Sequence, residues 1–145
     1  MGIRYPLISI SLLLLAWFTA LAAESEAEPG LKEIMQDLRD SLVEITDGLM
    51  LDDFDRIALG ATGIAQHAPI PAFQATRIAE ALGPEMPAFK QFDELVHTAS
   101  IRIASAAREE DRDSVIVDYR RMVDGCLACH TAFKSRVSEV LAQAP

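Results

Sequence analysis

Apolar residues recur at alternating spacings of three and four along four segments of this 145-residue chain. Such spacing places apolar side chains on one stripe of an α-helix, and each helix must bury that stripe against another helix. No segment shows the alternation of period two that is typical of a strand. Four helices with short connections predict an all-α fold, an up-down-up-down (antiparallel) four-helix bundle. The stripes run from Leu31 to Leu49, Phe54 to Ala65, Phe89 to Ala106 and Val115 to Val140.

The residues between the stripes are those that end or cap helices. Asp52 and Asp53 can cap the second helix, and the two prolines within 67–71 end it, because proline cannot continue a helix. A short helical stretch over about 72–82 is predicted to bridge to a Gly-Pro pair. The third helix is then predicted from about 85 to 108, and the last turn at 109–112.

The pentapeptide Cys126-Leu127-Ala128-Cys129-His130 is the most specific motif in the chain. It has the form Cys-x-x-Cys-His, which is the attachment signature of a c-type haem. Two thiols at this spacing form thioethers with the vinyl groups on one edge of a haem, and the following imidazole binds the iron. The chain has two cysteines in all, so both are used by the motif. The motif predicts one covalently attached haem c with its iron.

Two other kinds of site use the same cysteine spacing. A redox dithiol usually opens a helix after a strand, and no strand pattern precedes Cys126. A zinc site needs a second pair of strong ligands, whereas His67 and His97 stand alone in the sequence. Haem attachment is therefore favoured, and a dithiol or metal site is the remaining alternative.

The first 23 residues have the pattern of a secretory signal peptide. Arg4 precedes an apolar core over 7–18, and the small residues that follow fit cleavage near Ala22 or Ala23. The alternative is an uncleaved anchor, because the uncharged stretch approaches the roughly 20 residues that span a bilayer. Export to the periplasm also suits covalent haem attachment and would expose free thiols to oxidation. We expect residues 24–30 to form a mobile leader and residues 31–142 to form the haem-binding domain.

The mature chain is expected to be strongly acidic. Cleavage removes one of the 13 basic residues and none of the 22 acidic ones, so the formal charge becomes 12 − 22 = −10. This charge argues against nucleic acid or an anionic membrane as partners. It suits redox partner proteins with basic docking patches, although solubility alone would also account for it.

The late motif resembles that of cytochrome c′ and its low-spin class II relatives, which carry it in the last helix. Residues 31–38 also resemble the first helix of the soluble bacterial b-type bundle cytochrome, in which an early methionine and a late histidine hold the haem. Met35 and His130 occupy the matching positions, and the resemblance covers roughly residues 31–136. It implies a cytochrome c′-like bundle with His130 as the proximal axial ligand. A homodimer through the first two helices, common among such relatives, is left open.

The distal position of the iron decides between two functions. In an up-down-up-down bundle, Met35 and His130 would both lie within about 15 Å of one bundle end, so Met35 is the predicted distal axial ligand. His67 is better explained by the proline-rich turn, and His97 lies off the main stripe. His/Met ligation predicts electron transfer. A five-coordinate iron would instead predict binding of a diatomic gas such as NO or CO, as in cytochrome c′.

No catalytic role is predicted, because no distal His/Arg pair and no acid–base cluster stand out in the sequence. Phe133 and Tyr119 are predicted to pack around the haem, with the Tyr119 hydroxyl at its rim. Lys134 is predicted on a solvated face, one helical turn after His130.

Overall fold

The computed structural model describes residues 29–143, and their regular structure is entirely helical. The prediction of an all-α fold is confirmed for this part of the chain. The expected signal peptide, its cleavage site and residues 24–28 of the leader lie outside the described residues. A single 3-10 turn, Gly83–Glu85, joins the third and fourth helices. The helices are α1 (Leu31–Leu51), α2 (Phe54–Ala65), α3 (Ala72–Leu82), α4 (Met86–Arg108) and α5 (Arg112–Ala142).

Aspartates begin two of these helices. The Asp53 carboxylate accepts a hydrogen bond of 3.0 Å from the backbone N–H of Arg56, which confirms the predicted cap of α2. The Asp111 carboxylate caps α5 in the same way, because it accepts a hydrogen bond of 3.1 Å from the backbone N–H of Ser114. Asp52 instead ends α1 in the left-handed conformation, with φ of 58°. The short sequence between α1 and α2 therefore ends one helix and caps the next.

Glycines allow α1 and α2 to pack backbone against backbone. A Cβ atom added at Gly60 would lie 2.6 Å from the carbonyl oxygen of Ser41, closer than real contacts allow. A Cβ atom at Gly48 would lie 2.8 Å from the carbonyl oxygen of Asp53. A side chain at either position would push the two helices apart.

The core is divided into two clusters. The central cluster joins α1, α2, α4 and α5 and is composed mainly of isoleucines and alanines, such as Ile45, Ile57 and Ala99, with Met122 from α5. The end cluster consists of Leu31, Ile78, Leu82, Phe133 and Val137. It brings the start of α1 together with α3 and the later part of α5. No helix in residues 29–143 has a run of apolar residues long enough to cross a membrane.

Candidate functional site

The Cys-x-x-Cys-His motif lies within α5, at the edge of the stripe that this helix buries. Cys126 and Cys129 are half-buried and His130 is exposed. Both cysteines are free thiols. Burial raises the pKa of Cys126 above its usual value. Burial also raises the pKa of Cys129, and the negative charges of Asp93 and Cys126 raise it further.

The buried stripe of α5 differs from the apolar pattern, which also includes the half-buried Cys129 and Val140. The pattern includes Tyr119 and Cys126, whereas the structure buries Asp118 and Gly125 and leaves the other two half-buried. Asp118 can be buried because two arginines reach it, with Arg121 at 2.7 Å. The burial of Gly125 follows from the close approach of α4. Cys126 therefore lies at the edge of the buried stripe and not at its centre.

Gly125 brings α4 against the motif. A Cβ atom at this position would lie 2.5 Å from the Cδ2 atom of Leu95 and 3.1 Å from Val96. A side chain at the position immediately before Cys126 would therefore require the side chains of Leu95 and Val96 to shift. Hydrophobic spacing alone does not reveal this requirement, because a glycine contributes nothing to an apolar pattern.

The second cysteine packs against a cluster that contains aromatic rings. Cys129 packs against the end cluster, and the Phe133 ring of that cluster meets two phenylalanines of α4 edge to face. The ring centroids of Phe89 and Phe133 are 5.6 Å apart, and those of Phe92 and Phe133 are 6.2 Å apart. Phe133 is buried in the end cluster, and its predicted packing around a haem stays a prediction.

Two polar contacts connect α1 with α5. The hydroxyls of Thr46 and Tyr119 lie 2.8 Å apart. Thr46 also donates a hydrogen bond of 2.8 Å to the carbonyl oxygen of Leu42, so its hydrogen is used and Tyr119 is the donor of the pair. Asp52, at the end of α1, forms an ion pair with Arg112, at the start of α5. Tyr119 thus reaches α1 through its hydroxyl.

Met35 and His130 lie at the same sequence separation from the two partners of the Thr46–Tyr119 hydrogen bond. Met35 lies eleven residues before Thr46 in α1, and His130 lies eleven residues after Tyr119 in α5. Eleven residues make about three helical turns, with a residual rotation of about 20°. Each residue therefore lies on nearly the same side of its helix as the hydrogen-bonding residue. Both side chains are exposed, and that of Met35 is 39% accessible.

The other two histidines are placed differently. A ring nitrogen of His67 lies 2.7 Å from the carbonyl oxygen of Ala68, within the proline-rich connection. This contact agrees with the turn role expected from the sequence. His97 is half-buried in α4, next to the half-buried Val96. The exposed Lys134 agrees with the solvated face that was predicted for it.

An open groove lies beside the motif on the outer side of α4 and α5. Its volume is about 450 Å³, and its lining includes Phe92, Leu95, Arg121 and Ala128. Ala128 belongs to the motif, but neither cysteine nor His130 lines the groove. The groove is therefore separate from the side of α5 on which His130 lies.

The donor atoms present suit a covalently attached haem. Two thiols lie about one helical turn apart, the imidazole follows on the next residue, and no disulfide joins the thiols within residues 29–143. The Met35 thioether on α1 is exposed. Sequence patterns do not single out Thr46, which bonds Tyr119 of α5, Gly125, which precedes the motif, or Asp93. Comparisons of the chain with protein-family models, with curated proteins and with solved structures gave no match.

Proposed function

We propose that this chain is an exported c-type cytochrome with one covalently attached haem and that it acts in electron transfer. The Cys-x-x-Cys-His motif is the sequence feature behind the proposal. The matched placement of Met35 and His130 relative to the Thr46–Tyr119 hydrogen bond is the structural observation that carries it. When bound, the haem supplies an iron that changes between its ferric and ferrous states.

An antiparallel pairing of α1 with α5 is part of the proposal. The Asp52–Arg112 ion pair joins the end of α1 to the start of α5. The Thr46–Tyr119 hydrogen bond follows further along, and Leu31 shares the end cluster with the last turns of α5. All three contacts agree with a cytochrome c′-like bundle in which the chain directions of these helices oppose each other.

This pairing puts Met35 and His130 at one level. Both residues are about 16 Å along the helices from the Thr46–Tyr119 hydrogen bond, in the same direction. Their faces also correspond, because each residue is within about 20° of its hydrogen-bonding residue around the helix. Met35 and His130 are thus suited to approach one iron from opposite sides.

The motif residues have separate roles. The thiols of Cys126 and Cys129 would each add across a vinyl double bond, so that sulfur bonds to one carbon and hydrogen ends on the other. No oxidant or reductant is needed for this addition. His130, on the turn that contains Cys129, would then donate a ring nitrogen to the iron. The covalent bonds hold the group even when the distal residue is changed.

Electron transfer fits this ligand set. With both His130 and Met35 holding the iron, no position would be left for a substrate. Methionine ligation also raises the reduction potential. The acidic surface expected of the mature chain would favour redox partners that present basic patches.

Gas binding is the second candidate, and the exposure of Met35 favours it. The side chain is 39% accessible and belongs to neither core cluster. Little packing would therefore hold its sulfur in place if a stronger ligand competed for the iron. In that case the iron would be five-coordinate, and the protein would bind NO or CO as cytochrome c′ does.

The decisive experiment is expression with an export signal and the haem-attachment machinery. Mass spectrometry should show one added haem and loss of residues up to about Ala23. Absorption spectra in both redox states, with and without carbon monoxide, should show a low-spin ferrous form that binds the gas slowly. The matched control is Cys126→Ser with Cys129→Ser, which should carry no covalent haem. Unmodified thiols in folded wild-type protein would overturn the proposal.

A further inference from the structure

Asp93 of α4 lies opposite Cys129 of α5. One contact before Asp93 and one contact after it along α4 define how α4 and α5 are aligned at this point. Four residues before Asp93, the Phe89 ring meets the ring of Phe133, which is four residues after Cys129. Moving toward higher residue numbers along α4 thus corresponds to moving toward lower residue numbers along α5.

The contact on the other side gives the same alignment. Seven residues after Asp93, the Ser100 hydroxyl oxygen lies 3.2 Å from the sulfur of Met122, which is seven residues before Cys129. Ser100 and Met122 are both fully buried. Seven residues make about two helical turns, so Asp93 lies on nearly the same side of α4 as Ser100. Cys129 lies on nearly the same side of α5 as Met122.

The Asp93 carboxylate is exposed, on the side of α4 that this alignment turns toward Cys129. No Lys or Arg side chain forms a salt bridge with it within residues 29–143. Its neighbour Glu94, by contrast, accepts a hydrogen bond from Thr98, one turn further along the same helix.

We propose that Asp93 is an electrostatic tuning residue that lowers the reduction potential of the iron held through Cys129 and His130. This inference depends on the proposed function. An unpaired carboxylate beside the attachment cysteine stabilises the more positive ferric state over the ferrous state, because opposite charges attract.

Three variants of the haem-loaded protein test the inference by redox titration at low ionic strength. Asp93→Asn should favour the ferrous form about tenfold at a fixed applied potential, which is a rise of about 59 mV for a one-electron couple. Asp93→Glu keeps the charge and should restore a potential near that of the wild type. Glu94→Gln removes the same charge from the next residue and should give less than half of the Asp93→Asn shift.

Added salt should reduce the Asp93→Asn shift, because the carboxylate is exposed. Equal shifts in Asp93→Asn and Glu94→Gln would overturn the inference and leave the proposed function intact. A failure of Asp93→Glu to restore the potential would also overturn it. Wild-type protein without covalent haem would overturn the proposed function, and this inference with it.

Discussion

The Tyr119 hydroxyl on α5 donates a hydrogen bond of 2.8 Å to the Thr46 hydroxyl on α1. The bond links α1 and α5 at this level. Met35 and His130 depend on it, since each lies about three turns from one of its partners. The contact joins residues 73 apart in the sequence, and Tyr119 lies seven residues before Cys126, so the contact supports the alignment that the proposed axial ligands need.

Removing this hydrogen bond should reduce stability. Tyr119→Phe keeps the ring and should lower the free energy of unfolding by about 1 kcal/mol, because the bond is partly buried. Thr46→Val removes the other hydroxyl. Urea denaturation of both single variants and of the double variant would give the coupling energy, expected at about 0.5–1.5 kcal/mol. Additive effects would mean that the bond contributes nothing.

The contact between α1 and α2 gives a second stability prediction. Gly60→Ala should destabilise the protein by about 1–3 kcal/mol, because the new Cβ atom would meet backbone atoms of Ser41 and Ile45. Gly63→Ala is the matched control on the same helix. Its Cβ atom would meet the Ser41 hydroxyl, which can rotate away, and alanine favours the helix by about 1 kcal/mol.

Chemical denaturation would compare the two variants with the wild type. We expect Gly63→Ala to be neutral or stabilising while Gly60→Ala is clearly destabilising. If both changes cost the same, the close backbone approach at Gly60 does not restrict the packing of α1 on α2.

Much of the helical organisation could be predicted from the sequence, because its signals are local. The three-and-four spacing, the Asp53 cap and the prolines at 69 and 71 each act within a few residues. The helix bounds follow from them. Phe133 was also predictable as a packing residue, since an apolar residue on the stripe of a long helix has to be buried.

The side of α5 that faces each neighbour could not be predicted in the same way. Asp118 is polar, and it is buried because Arg102 and Arg121 reach it from two helices. Gly125 is buried because Leu95 comes close to it. The burial of both residues depends on long-range packing, which hydrophobic spacing does not reveal. The Asp93–Cys129 juxtaposition was missed for the same reason, since it becomes visible only when α4 and α5 are aligned.

An ion pair between Glu85 and Arg136 predicts a dependence of stability on pH. The guanidinium of Arg136 hydrogen-bonds both oxygens of Glu85, at 2.7 and 2.9 Å, and this bonding lowers the pKa of Glu85 below its ordinary value of 4.5. A carboxyl whose folded pKa is lowered stabilises the fold above its unfolded pKa. That contribution is lost as the pH falls through the folded value. The pair should therefore stabilise the protein at pH 7 and lose its effect in acid.

Glu85→Gln should accordingly be less stable than the wild type at pH 7, by a small amount because the pair is exposed. The difference should shrink as the pH falls below 4.5 and vanish once Glu85 is protonated. Urea midpoints over this range would measure it, with Glu139→Gln as a control on α5. A difference that persists unchanged in acid would contradict an electrostatic origin.

The distal ligand gives the most direct functional prediction. Met35→Leu keeps the side-chain volume but removes the sulfur, so helix packing should change little. If Met35 binds the iron, the variant should lose the weak sulfur-to-iron charge-transfer band of the ferric protein, bind carbon monoxide faster and have a lower reduction potential. Its haem content should be unchanged, because Cys126, Cys129 and His130 still hold the group.

Met50→Leu is the matched control, since Met50 lies on the same helix and is 77% accessible. It should leave the spectrum, the carbon monoxide kinetics and the potential as they are in the wild type. The opposite result for Met35 is equally informative. If the wild type is already high-spin and binds carbon monoxide as fast as Met35→Leu, the methionine does not bind the iron. Gas binding would then replace electron transfer as the proposed function.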